Sequence, residues 1–108
     1  MDERAKQIAR NESLFREVNE RIEELAETMY KSAHGGFLCE CGDVDCSETL
    51  SLMLDVYERV RDDPHRFVIK RGHQIAEFEK VVEETDEYAV VEKEGDAAEV
   101  AERLDPRS

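Results

Sequence analysis

Apolar residues recur every seven positions along the first third of the chain. Ile8, Phe15, Ile22 and Met29 share one seam position, and Val18 and Leu25 follow Phe15 and Ile22 by three. Asn11 and Ser32 take that second position at the two ends. No Gly or Pro interrupts residues 3–33, so the spacing predicts one long amphipathic helix, with Asp2 as N-cap and Glu3 at the positive end of the dipole. A heptad seam of this kind predicts either self-association as a coiled-coil homodimer or packing on the rest of the same chain. Leu14 and Ala26 widen the stripe and favour the second reading. His34-Gly35-Gly36 is expected to end the helix, because Gly readily takes the left-handed C-terminal conformation.

Beyond Gly36 the pattern shortens. Phe37-Leu38-Cys39 and Glu48 to Leu52 predict two strands flanking a turn, and Ser51 is expected to cap a helix from Leu52 to about Asp62, stopped by Asp62-Asp63-Pro64. Arg66 to Lys70 predicts a third strand. Phe78 to Glu84 and Tyr88 to Glu92 predict two more, joined at Thr85-Asp86-Glu87 as a hairpin. Gly95-Asp96 opens a final short helix through Leu104. The expected fold class is α+β: a long N-terminal helix, then a small, mainly antiparallel sheet with one or two packed helices. Residues 1–34 form the heptad helix, a dimerisation or docking arm, and residues 35–108 form the second unit.

The chemistry concentrates in eight residues, Cys39-Glu40-Cys41-Gly42-Asp43-Val44-Asp45-Cys46, which hold all three cysteines. An odd count, with Cys39 and Cys41 one residue apart, fits disulfides poorly. Three thiolates around one borderline cation fit better, and zinc completes a tetrahedron with a fourth Cys or His. His73 is the preferred fourth ligand, with His34 and His65 as rivals. Gly42 lets the backbone reverse, Asp43 and Asp45 suit the turn, and backbone amides there can donate to the sulfurs. Three thiolates and a neutral imidazole leave a zinc site at −1, and the basic run Arg66 to Arg71 is read as its compensation. An iron–sulfur cluster held by three Cys and one His is the alternative cofactor. Residues 35–108 are thus read as a zinc-binding α+β domain, with Cys39, Cys41, Cys46 and His73 as metal ligands.

The match Cys39, Cys41, Gly42, Cys46 resembles the zinc motif that follows SET domains, Cys-x-Cys-Gly-x-x-x-Cys. It covers eight residues and implies the metal, not methyl transfer. Over about residues 36 to 93 the chain also resembles small bacterial zinc-module proteins. These read Phe-x-Cys-x-Cys-Gly-Asp, Cys, Tyr-x-x-Val-Arg, Pro-x-x-Phe-Val and Gly-His, here Phe37 to Asp43, Cys46, Tyr57 to Arg61, Pro64 to Val68 and Gly72-His73. That likeness implies a recurring module, favours His73 as ligand and brings no activity with it.

Charge narrows the function further. The 108 residues carry a net −13, with 40% charged residues and two each of Asn and Gln, a composition that leans toward a thermophile's surface. Residues 65–73 are the exception, with three bases and no acid. Such a surface repels nucleic acid and anionic lipid and suits a basic protein partner. No apolar run reaches membrane-span length, the N-terminus does not read as a secretory signal, and clustered free cysteines fit a reducing cytoplasm. A closed Cys3His shell keeps no position for water, and no nucleophile–base pair or phosphate loop is present, so no catalytic residues are assigned and the chain is not expected to be an enzyme. The expected function is a zinc-binding interaction or regulatory module with a structural metal. The alternative is a thiol-based redox or metal-sensing switch.

Overall fold

The computed structural model describes residues 3–25, 34–43, 45–75 and 78–105. Its elements run α1 (Glu3–Leu25), β1 (His34–Leu38), β2 (Thr49–Met53), α2 (Leu54–Arg61), β3 (Arg66–Ile69), β4 (Glu79–Glu84), β5 (Ala89–Lys93) and α3 (Asp96–Arg103). The fold is α+β, as the patterning predicts. The expected Asp2 cap, and Ala26, Met29 and Ser32 of the stripe, lie outside the described residues.

β1 and β2 pair antiparallel, from His34 opposite Met53 to Leu38 opposite Thr49. The other three strands form an antiparallel sheet in the order β3-β5-β4. Strands β3 and β5 are buried on both faces, which explains their unbroken apolar runs. Val68 and Val90 point to a cluster with Phe37, Leu50, Leu52, Tyr57 and Val60, where Phe37 and Tyr57 stack at 4.4 Å. Phe67, Ile69, Ala89 and Val91 point the other way and pack with Cys39, Cys41 and Ala101. β4, at one edge, is largely exposed and rich in Glu and Lys, which discourages pairing with another chain. The β4–β5 turn is closed by Thr85, whose Oγ1 accepts from the amides of Glu87 and Tyr88.

Two local expectations are corrected. His34-Gly35-Gly36 is strand rather than helix terminator, because pairing with Ser51 to Met53 supplies the backbone bonds. Ser51 accordingly lies in β2, and α2 starts at Leu54 behind Met53 with no side-chain cap.

The helix α1 packs against β1 and α3. The face it buries is not centred on the heptad stripe. Ala9, Glu12, Ser13, Arg16, Asn19 and Glu23 are buried, whereas Leu14, Val18 and Leu25 are 56%, 39% and 55% exposed. Ile8, Phe15 and Ile22 lie between the two faces, half-buried. At 100° per residue the buried seam is rotated from the apolar stripe by roughly a third of a turn. That seam is polar because its partners are polar. Arg16 donates to the Pro64 carbonyl at 2.9 Å and lies 3.6 Å over the Phe67 ring. Lys93 of β5 bonds Glu79 and pairs with Glu12 at 2.5 Å. Arg61 of α2, fully buried, reaches Glu20 at 2.6 Å and Asp105 at 2.5 Å.

Candidate metal centre

The cysteine turn begins where β1 ends. Asn19 of α1 clamps Leu38 on both sides, accepting its N–H at 2.7 Å and donating to its carbonyl at 2.9 Å. The Cys39 amide then donates to the Glu48 carbonyl at 3.1 Å, and the Glu40 amide to Val68 of β3 at 2.9 Å. Gly42 turns the chain with φ +82°. A Cβ there would lie 2.8 Å from Glu12 Cγ and 2.9 Å from Ile8 Cγ2, so only glycine fits both the dihedral and the contact with α1. Asn11 fixes the same residue by donating to its carbonyl at 2.9 Å. Asp43 completes the reversal, its side chain accepting from the Asp45 amide at 2.9 Å and its carbonyl from the Cys46 amide at 3.0 Å.

His73 arrives from the end of β3. A turn over Lys70 to His73, closed by the His73 amide on the Lys70 carbonyl at 3.1 Å, brings it back toward the cysteines, with Gly72 at φ +85°. His73 Nδ1 lies 3.5 Å from Cys39 Sγ and 3.6 Å from Cys46 Sγ. The donor atoms of Cys39, Cys41, Cys46 and His73 all lie within 4.8 Å of one another, close enough to touch one ion. The residues singled out by spacing therefore converge on a possible metal site.

Each sulfur also receives a backbone amide: Lys70 N–H on Cys39 at 3.1 Å, Asp43 on Cys41 and Glu48 on Cys46. These donors stabilise negative charge on sulfur. The Cys41 thiol is pushed down to about 5, chiefly by a hydrogen bond from the Cys39 thiol and also by the Asp43 amide and His73. The same bond, with burial, pushes Cys39 up, and burial raises Cys46. The cluster thus favours a thiolate at Cys41, the form of sulfur that can bind a metal ion.

The basic run does not compensate the site in the way its position suggests. Lys70 binds Glu48 at 2.9 Å, Arg66 binds Glu92 at 3.1 Å, and Arg71 lies 3.7 Å from Glu84. The amides take that role instead. The rival histidines stand elsewhere. His34 is at the opposite end of the β1–β2 pair from Cys39, and His65 Nε2 is 3.1 Å from Glu102.

Glu40 reads in the sequence as one more exposed acid beside the turn, yet it is fully buried. Its Oε2 accepts from Asn19 Nδ2 at 2.8 Å and the Tyr57 hydroxyl at 3.1 Å, and its Oε1 accepts from the Val68 amide at 3.0 Å. It joins α1, α2 and β3 behind the candidate ligands. Glu48, by contrast, is exposed, its carboxyl held below the usual range by Lys70. No helix among the described residues is long and apolar enough to cross a membrane. Compared with protein-family models, curated proteins and solved structures, the chain finds no match.

Proposed function

We propose that this chain is a small zinc-binding interaction or regulatory module whose metal is structural. The supporting observation is the geometry of the donor set. Zinc bonds of about 2.3 Å to sulfur and about 2.0 Å to nitrogen, at tetrahedral angles, separate S from N by about 3.5 Å. The two sulfur–nitrogen separations here are 3.5 and 3.6 Å. An iron–sulfur cluster divides its ligands between irons, whereas four donors within 4.8 Å suit a single ion. Four protein donors fill a tetrahedron and leave no place for a reacting water, so the ion holds the turn to β3 rather than catalysing. Metal analysis of protein purified without an affinity tag tests this, with one zinc per chain expected. His73→Ala should lower zinc affinity at least tenfold and lower Tm. Metal-free protein, or iron with sulfide, overturns the reading.

A second reading, a thiol switch, draws on access. Cys46 is part-exposed, and Cys41 and His73 line a cavity of about 450 Å³ beside α1. Peroxide reaching them would take two electrons from two thiolates, forming one S–S bond and, with two protons, two waters, and zinc would leave. Zinc release measured under mild peroxide decides it. Release only on global unfolding removes the switch.

A further inference from the structure

Among the described lysines and arginines, most are engaged. Arg59, Arg61, Arg66, Lys70, Arg71, Lys80 and Lys93 all pair with acids, and Arg16 lies on Phe67. Arg10 and Arg103 are the two described cations with no hydrogen bond, ion pair or ring contact, in a chain with 28 acids. Both line one cavity of about 280 Å³ between α1 and α3, together with Lys6, Val100 and Leu104. The third cation, Lys6, faces Glu3 at 3.6 Å across one exposed helical turn, a pair that contributes little.

We propose that this cavity binds the phosphate of a small organic phosphomonoester. Two guanidinium forks and an ammonium around one space match three phosphate oxygens. Val100, and Leu104 at 42% exposed, offer an apolar wall to the ester's organic part. The net charge of −13 selects against a large polyanion, which would meet the surrounding acids. A small anion responds chiefly to charges within about 8 Å, and the charged residues lining this cavity are all cations. The site is separate from the Cys/His cluster and stands whether or not that cluster holds zinc.

The test is an NMR titration of the full chain, following the arginine Nε–H signals with phenyl phosphate, benzoate or sodium chloride at matched ionic strength. Phenyl phosphate should move the Arg10 and Arg103 signals saturably and bind at least tenfold more tightly than benzoate. Arg10→Gln and Arg103→Gln should each weaken it about tenfold, the loss of a charge-assisted hydrogen bond, with metal content and Tm unchanged. Linear shifts, shifts matched by chloride, or binding untouched by both substitutions overturn the site. Equal binding of benzoate overturns the assignment to phosphate.

Discussion

Replacing Glu12 by Gln should flatten the pH dependence of stability in a defined window. Glu12, Glu79 and Lys93 meet in the interior, with side chains essentially closed to solvent. Two carboxyl groups share one ammonium, and Glu79 also takes the Ile75 amide at 2.8 Å. Burial pushes the Glu12 carboxyl up from 4.5 to about 8; Lys93 opposes the shift and Glu79 adds to it. Between those values the folded chain keeps a proton that the unfolded chain has released. The folded state binds more protons there, so stability is full below about pH 4.5 and is lost as pH rises toward 8. Each pH unit costs about 1.4 kcal/mol, so pH 5.5 to 7.5 should cost about 3 kcal/mol relative to Glu12→Gln, which holds no titrating proton. Urea unfolding of both proteins at matched metal load measures the difference, and the titration of the thiols cancels within it. A constant difference refutes the reasoning. A difference that grows in the wild type's favour means that the Lys93 ion pair outweighs desolvation.

Three further substitutions probe the scaffold by urea unfolding. Gly42→Ala must hold a positive φ and push against Ile8 and Glu12, and should cost about 3 kcal/mol; a loss under about 0.5 kcal/mol refutes the close approach. Glu40→Gln turns an amide donor toward one of three existing donors and should cost about 2 kcal/mol, whereas an exposed acid would cost nothing measurable. Arg61→Ala leaves Glu20 and Asp105 facing each other without their shared cation and should cost about 3–5 kcal/mol; a surface-like loss below about 1 kcal/mol contradicts the burial.

The strands were legible because their signal is local. Phe67-Val68-Ile69 and Ala89-Val90-Val91 are apolar without a break, and both faces of each are covered. The ligand cluster was legible for the same reason, with three cysteines in eight residues and His73 behind a turn glycine. What stayed hidden depends on partners distant in sequence. Glu40 looks like any other acid until Asn19, Tyr57 and Val68 converge on it. Periodicity finds the apolar stripe of α1, but the helix docks on the polar seam beside it, where the body presents carbonyls and charges. His34 to Gly36 read as a helix end because glycine's local preference was weighed without the strand that pairs with it.

That polar docking ties the helix to the cysteine turn. A hydrogen bond exchanged with water contributes only about 1 kcal/mol net, and only while its partners are held in place. The partners of Asn11 and Asn19 are Gly42 and Leu38, within or beside the ligand turn. Ile8 and Glu12 rest against the same glycine. An apolar seam would tolerate a loosened turn, since burial has no direction, but directed bonds do not. An ion closing Cys39, Cys41, Cys46 and His73 would therefore fix the surface on which α1 is seated, and binding it would be worth docking free energy as well as ligand bonds. The exposed Leu14, Val18 and Leu25 lie on the outer side of that same helix. On the function proposed above, their presentation to a partner would depend on a centre they never touch, and a structural metal would in that way act as a regulatory one.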